Sequence, residues 1–335
     1  SGVRELQPGI ESLHSSLLRL MRKGCTALQN LQLLRWCREF GVAPRWNLLF
    51  GFPGEDPLWF HEQAQIIRKI HHLTPPRNVS PVRLDRFSPY FAEPEAHGIA
   101  RVRPARALTY IYDMPSEELA RIAYHFDFDF DDGREPTAYI GPVLGAVREW
   151  QALEKERFFY AFRCQGRLLL WDGRHGDPGA VHILGDGEAA IYEFCDRIRG
   201  RAEISAWVTG QGGLTEREAQ RLLDSWIDAE LMVEEQGCVL ALAVFAGTAV
   251  ESCVAFDDGG TVCRRPNHDG PMPGRSSARR PHRNRSTRAV DMGSDLIVLD
   301  RERGRILILD AVASAYAIAA ATTLTDGEKA IIFTE

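Results

Sequence analysis

Apolar and polar positions follow two rhythms in the first hundred residues, a strand-like alternation and a helical period, taken in turn. Val3 to Leu6 reads as the end of a strand. After the turn at Pro8-Gly9, Ser12 is placed to cap a helix that runs to about Arg22 and ends at Gly24. From Thr26 to Phe40, Leu28, Leu31, Leu34 and Cys37 recur on a helical period with Arg and Gln opposite, which predicts a second helix stopping at Gly41. Arg45 to Phe50 reads as a short buried strand. Its exit, Gly51-Phe52-Pro53-Gly54-Glu55, turns into a helix with the stripe Phe60, Ala64, Ile67 and Ile70, which Pro75-Pro76 breaks. Val82 to Phe87 then supplies the next strand. Strands alternating with helices in this way predict β/α units around a mostly parallel sheet.

The pattern changes at about Arg103. Ser116 to Tyr124 and Pro142 to Glu156 read as helices, with an acidic, aromatic turn over Phe126 to Asp132 between them. Phe158 to Arg163 and Leu168 to Asp172 form a predicted hairpin around Gln165-Gly166. Glu188 to Ile198 is helical, and Thr215 with Glu218 makes a capping box for a helix ending near Glu230. Leu231 to Glu234 and Val239 to Ala243 face each other across Gln236-Gly237, and helices followed by a hairpin predict a winged-helix-like unit. Residues 259–289 hold many arginines among Gly, Pro and Ser and almost no large apolar side chains, the composition of a disordered linker. Leu296 to Leu299 and Arg305 to Leu309 alternate like a further hairpin around Arg303-Gly304.

Composition narrows the class without naming it. The chain has 335 residues, 44% apolar and 26% charged, with a net charge of −6, which excludes collagen-like, wholly disordered and small disulfide-stapled proteins. A mildly acidic chain has no global footprint for nucleic acid or anionic membrane. No uncharged apolar run reaches the roughly 18 residues a membrane-spanning helix needs. The seven cysteines, Cys25, Cys37, Cys164, Cys195, Cys238, Cys253 and Cys263, are scattered and odd in number, and no signal peptide is apparent. Reduced thiols in a cytoplasmic protein are therefore expected. The chain begins at Ser1 in mid-pattern with its first methionine at Met21, so a preceding segment is expected.

Ligands in such sheets gather where strands end and helices begin. Three exits qualify. At Gln7-Pro8-Gly9-Ile10-Glu11-Ser12, Gly9 lets the backbone approach a ligand, and the Gln7 amide, Glu11 carboxylate and Ser12 hydroxyl suit a ribose or an amino acid; the alternative is a capped turn. At Asn47 to Glu55, Gly51, Pro53 and Gly54 fix a rigid loop whose backbone can read an adenine edge, although Gly-x-Pro-Gly is also a common turn. At Arg83-Leu84-Asp85-Arg86-Phe87-Ser88-Pro89-Tyr90, alternation puts Arg83 and Asp85 on one strand face and Leu84 and Arg86 on the other. Inside a barrel, Arg83 and Asp85 must be ligand-bound or paired with each other. His61, His71, His72 and His97 are placed on or beside surface helices and are not read as ligands. The aspartates at 127, 129, 131 and 132, alternating with Phe126, Phe128 and Phe130, lack the spacing of a calcium loop and read as a strand edge or an acidic turn.

The order and spacing of these segments, with Leu20-Met21-Arg22-Lys23-Gly24 and Trp36-Cys37-Arg38-Glu39 between them, resemble the later half of a radical S-adenosylmethionine partial (β/α)6 barrel. The likeness is to cobalamin-dependent maturases of ribosomally made peptides, the group called RiPP maturation radical SAM protein 1. It extends more weakly through Ala120 to Tyr124, Leu170 to Arg174 and Leu240 to Val244, covering residues 1 to about 245. Within that span the chain divides into a barrel half at 1–105, an α+β connection at 106–185 and a winged-helix-like module at 186–245; beyond the resemblance lie the arginine-rich linker at 246–290 and a small unassigned α/β tail at 291–335. The resemblance implies a 4Fe-4S cluster that cleaves S-adenosylmethionine, a radical that takes hydrogen from a precursor peptide, an electron donor, and methylcobalamin as methyl source. By the same likeness, Gln7, Gly9, Glu11, Ser12, Asn47, Gly51, Pro53, Gly54 and Glu55 lie against S-adenosylmethionine, while Arg83, Asp85, Arg86 and Tyr90 face substrate or cobalamin.

The chain departs from that family in one decisive respect. It has no Cys-x3-Cys-x2-Cys loop to supply cluster thiolates, and no cobalamin domain. Alone it is expected to be inactive. A second reading is therefore a leader-peptide binding module, and a third, a DNA-binding regulator, is disfavoured by Asp224, Asp228, Glu230, Glu234 and Glu235 near the presumed recognition surface.

Overall fold

Two successive parallel pairings organise the N-terminal third. Strand β1 (Glu5–Leu6) pairs parallel with β2 (Ala43–Pro44), a bridge from Glu11 to Leu48 continues that edge, and β3 (Asn47–Phe50) pairs parallel with β4 (Asn78–Pro81). Helices α1 (Ser15–Leu20) and α2 (Ala27–Glu39) form the first crossover, and α3 (Pro57–Lys69) the second. Local chemistry sets their starts. Thr26 and Gln29 close a reciprocal capping box on α2, and the Asp56 carboxylate accepts from Leu58 N at 2.9 Å with Pro57 in the first turn of α3. Leu48 and Phe50 point into the core with these helices, so alternation leaves Asn47 and Leu49 on the opposite, half-buried face.

The chain was obtained as a computed structural model, which describes residues 2–245 except 154–156, 165–166, 177–178 and 212, together with three strands near the C-terminus. It falls into two compact units, Ser1–Phe245 and Ala246–Glu335. Within the first, β5 (Leu84–Asp85), α4 (Pro89–Ala92), β6 (Ile99–Pro104), α5 (Arg106–Thr109), α6 (Ser116–Ile122) and β7 (His125–Phe130) build an antiparallel sheet in the order β5-β7-β6 over a small core of Leu84, Ile99, Ala123 and Phe126. Helix α7 (Gly141–Leu153) returns to pack on α3, where Trp150 meets Trp46 and donates to the Leu73 carbonyl at 2.9 Å. Strands β8 (Phe159–Cys164), β9 (Arg167–Asp172) and β10 (Ala180–Leu184) form an antiparallel sheet. Then come α8 (Asp186–Phe194), β11 (Arg199–Gly200), α9 (Arg201–Gln211), α10 (Glu216–Asp228), β12 (Met232–Glu235), β13 (Cys238–Ala241) and β14 (Val244–Phe245). The order β11-β13-β12 makes one sheet, and β14 crosses back to lie parallel to β8.

The molecule is thus mixed α/β, and no closed barrel occurs among the described residues. In the second unit, β15 (Thr287–Asp291), β16 (Leu296–Asp300) and β17 (Arg305–Leu309) form an antiparallel meander that includes the expected hairpin. The expected linker lies outside the described residues except for its last few positions. No helix among the described residues is long and apolar enough to cross a membrane.

Several sequence expectations are corrected. The next parallel strand is Asn78–Pro81, not Val82 to Phe87: Val82 N still donates to Phe50 O at 2.7 Å, after which Leu84 and Asp85 join an antiparallel sheet instead. Of the two readings of Phe126 to Asp132, strand holds as far as Phe130: strict alternation gives β7 one face for phenylalanines and another for aspartates, of which Asp129 meets Arg101 and Arg103 and Asp127 accepts from Arg106 N. Ser12 does not cap α1. The helix starts three residues later, and Ser12 is drawn into a buried network. His71 and His72 are buried rather than on a surface helix, since α3 ends at Lys69 and the chain turns both inward. Helix α9 and strands β10 and β11 were not anticipated.

A single hydrophobic cluster runs from Ile10 to Val244 through both the β/α steps and the later helices. Buried polar joints cross it. Arg35, 1% exposed, projects from α2 so that Nη2 lies 2.7 Å from Asp196 Oδ1 and also meets the Asp196 main-chain oxygen, while Nη1 donates to Ala243 O at 3.3 Å. Arg174 is held by Asp172 at 2.5 Å and donates to Lys69 O at 2.7 Å, its guanidinium over Phe159. His72 Nε2 lies 2.9 Å from Leu242 O, and desolvation holds its pKa down to about 3. Replacing Arg35 by Met leaves two carbonyls without their donor and the Asp196 carboxylate without its cation. The expected outcome is a loss of about 2–4 kcal/mol in urea unfolding of the full chain, and a loss below about 0.5 kcal/mol would show the joint to be dispensable.

Candidate functional site

The first strand exit is a strained, internally bonded turn. Gly9 and Glu11 both adopt positive φ, +59° and +56°, the latter uncommon for a residue with a side chain. Glu11 O accepts from Leu49 N at 2.9 Å, which ties this turn to β3, and the Glu11 carboxylate lies 2.8 Å from Lys23 Nζ. A Cβ on Gly9 would stand 3.6 Å from the same Nζ, an ordinary contact, so it is the left-handed backbone and not lack of room that favours glycine here. Ser12 is buried: its hydroxyl donates to Gln63 Oε1 at 2.7 Å and accepts from His14 N at 3.0 Å. Asn30 Nδ2 donates to the carbonyls of Ile10 and Ser12. Ser12 therefore holds the turn from within, while Gln7 stands exposed on its approach.

The second exit is pinned by Glu55. This carboxyl, 2% exposed, accepts from Gly51 N at 2.8 and 2.9 Å, from Phe52 N at 2.9 Å and from the Tyr139 hydroxyl at 2.5 Å. Arg134 donates to the Glu55 main-chain oxygen at 2.7 Å. Burial raises the Glu55 pKa, and the Tyr139 hydroxyl, the two backbone N–H groups and Arg134 counter that rise only in part. Gly51 and Gly54 both have φ of +82° and sit at the two bends of the loop, with Pro53 half-buried between them. Glu55 is thus the loop's internal fastening.

At the third segment, Arg83 and Asp85 do face each other, 3.4 Å apart, but on the surface, with the Arg83 side chain 69% exposed. Asp85 also meets His125 Nδ1 at 2.7 Å across the β5-β7 pairing. Arg86 is turned inward: Nε donates to Ala123 O at 2.7 Å, Nη2 meets Ala120 O, and the guanidinium lies over Phe91 and Phe126. Tyr90 packs against Phe52, with centroids 6.4 Å apart, and against His97; burial raises its pKa, and nearby Arg22 opposes the rise.

These segments converge in part. Tyr90 reaches the second loop through Phe52, a Cβ on Gly54 would lie 3.7 Å from Leu20, and Glu11 pairs with Lys23. Glu11, Lys23, Phe52, Gly54 and Tyr90 therefore sit around neighbouring strand exits, whereas Arg83, Asp85 and Arg86 belong to the antiparallel sheet beside them. Sequence reasoning passed over Tyr139, Arg134, Gln63, Asn30 and His125. All of them act across long sequence separations, and no spacing in the chain marks them.

The groups implied by resemblance fit unequally. Asn47 Oδ1 is buried without a hydrogen-bond partner, on the face of β3 opposite the helices. Such an acceptor suits a ligand carrying N–H or O–H donors, as the adenine amine and ribose hydroxyls of S-adenosylmethionine do. Two of the cysteines, Cys37 and Cys195, do not suit an iron–sulfur cluster. They are buried in the apolar core, where desolvation raises both thiols, Cys195 to about 12, although cluster ligation requires thiolates. Among the described residues no group of three or more His, Cys, Asp or Glu is disposed to hold a metal ion. For cobalamin, the inward arginine Arg86 is already committed to two carbonyls.

No family model, curated protein or solved structure matches this chain.

Because burial raises the Glu55 pKa, the folded chain holds more protons than the unfolded one between the ordinary carboxylate pKa and the raised value. Stability contributed by this group is present at low pH and is lost as pH rises through that window. Glu55→Gln should flatten this slope in urea midpoints measured from about pH 4 to 7. A slope unchanged by the substitution would remove Glu55 as its source.

Proposed function

We propose that residues 1–245 are the later part of a radical S-adenosylmethionine enzyme that modifies, and by resemblance C-methylates, a ribosomally made precursor peptide. In this reading the β/α steps are the later half of the partial (β/α)6 barrel, and residues 186–245 are a winged-helix-like unit that grips the peptide's leader segment. The observation that carries the proposal is the gathering of glycine-turned strand exits beside β3, where the buried Asn47 acceptor lacks a partner. A doubly bent loop fixed from within by Glu55 offers its backbone to a purine without having to reorganise, and rigid placement of this kind is what an oriented cofactor requires.

S-adenosylmethionine, when bound, supplies the carbon radical precursor. Asn47 would accept from it, the Gly51 to Gly54 loop would flank it, and Glu11 with Lys23 would border its polar end. The 4Fe-4S cluster, cobalamin and the electron donor are assigned to polypeptide other than these residues, and no step through them is assigned to this chain. The cytoplasm, where thiols stay reduced, is the proposed compartment.

A second reading, peptide binding without catalysis by this chain, is favoured by the same cysteines, whose buried thiols are poor cluster ligands. Two measurements bear on these readings. Titration of the full chain with S-adenosylmethionine should release heat, with affinity reduced roughly three- to tenfold by Asn47→Ala, the worth of one hydrogen bond; no binding to the unsubstituted chain would sink the cofactor assignment. Anaerobic iron–sulfur reconstitution should give no stoichiometric 4Fe-4S absorption, and a well-formed cluster would overturn the claim that its ligands lie elsewhere.

A further inference from the structure

A slot opens where strand β12 meets helices α1, α2 and α3. Leu13, Leu28, Leu31, Ile66 and Val233 make its floor apolar, and Glu62, Glu234, Glu235 and His14 stand around it. Its volume is about 190 Å3. Sites that enclose whole small molecules hold about 300–1,000 Å3, so this one has room for a single long side chain.

The carboxylates around the slot are not equally satisfied. Glu234 is taken by Arg201, with contacts of 2.6 and 2.8 Å. Glu235 receives only the Ser15 hydroxyl, at 2.7 Å, and Ser15 in turn accepts from Ala27 N, which fixes that carboxylate in place. Glu62 faces only His14 Nε2, at 2.7 Å, and His14 stacks on Trp59 with its Nδ1 buried and unpartnered. Two carboxylates thus stand over an apolar floor with no lysine or arginine paired to either among the described residues.

We propose that this slot takes an arginine or lysine side chain of a peptide partner. The aliphatic stem would lie along Leu13, Leu28 and Ile66, and the cationic head would reach Glu62 and Glu235 in charge-assisted hydrogen bonds. A neutral apolar side chain would bury the same floor but would desolvate the carboxylates without compensation, and an acidic one would be repelled. The proposal rests on the peptide-binding part of the functional reading and gives it a specificity: a basic residue flanked by apolar ones. Ser15 and Ala27 lie on the helices that follow the first strand exit and Glu235 on the hairpin, so an occupied slot would bridge the two parts of the first unit.

The test compares N-acetyl-Leu-Arg-Leu-amide with its citrulline counterpart, nearly identical in shape but uncharged, by titration against the full chain. The arginine peptide is expected to bind at least about tenfold more tightly than the citrulline one. Glu62→Gln and Glu235→Gln are each expected to reduce that preference roughly threefold or more, while Glu216→Gln, the same change of charge on the exposed start of α10, leaves it intact. Equal binding of the two peptides, with Glu62→Gln without effect, overturns the slot while leaving general peptide binding standing. Absence of binding by either peptide also overturns it, and the cofactor assignment is judged separately by the S-adenosylmethionine titration.

Discussion

The buried guanidinium of Arg35 is the constraint on which the first unit depends. A permanent cation in an apolar core is tolerated only when oxygen atoms surround it, and here those oxygens come from Asp196 and Ala243, 161 and 208 residues further along the chain. The β/α steps and the later helical part cannot separate without exposing that charge deficit. The core cluster agrees, since it passes without a break from Ile10 to Val244. Arg174 repeats the device between Asp172 and the end of α3, and β14 lies against β8 to close the arrangement. Under the proposed function, the strand exits and the later helical module joined in this way would hold the fixed geometry that a reaction between a cofactor and a tethered peptide needs.

The strand exits show how rigidity and openness are divided within a few residues. Glu55 and Ser12 use up their polar atoms on protein partners, Glu55 on Gly51, Phe52 and Tyr139 and Ser12 on Gln63 and His14, so they position backbone rather than meet a ligand. Asn47 does the reverse, leaving its acceptor unsatisfied in a buried position, a state that costs stability unless a ligand or water completes it. Motif reading treats all these residues alike because it sees only polar side chains near glycines. The structure separates those that build the loop from the one that remains open.

What was legible in the chain follows from range. The helical period of α2, the Thr215–Glu218 capping box of α10 and the hairpin around Gln236-Gly237, both at positive φ, are local devices that act over short spans of chain, and each was readable in advance. The fastening of Glu55 by Tyr139, 84 residues away, was not. The strand at Val82 to Phe87 was misplaced for a related reason. Its apolar alternation is real, but the pairing partner that decides sheet membership is β7, some 40 residues later, and periodicity carries no information about partner or direction. His72 was misjudged because a histidine at a helix end reads as surface until the packing of Leu242 and Phe159 around it is known.

Charge at the β12 end bears on which class of partner the proposed module would take. Arg201 stands beside the hairpin, and Glu234, Asp224 and Gln220 already surround it, so it offers nothing to a phosphate. The carboxylates left over, Glu235 and across the slot Glu62, project a negative field from an apolar seat. A nucleic-acid backbone would meet repulsion at short range there and would gain nothing from the buried floor. A peptide with a basic side chain gains on both counts, because the charge is met where it lands and the stem covers Leu13 and Ile66 as it enters. The acidity that first weighed against a DNA-binding role in the sequence thus becomes, once its unpaired members are located, the positive feature of the proposed peptide site.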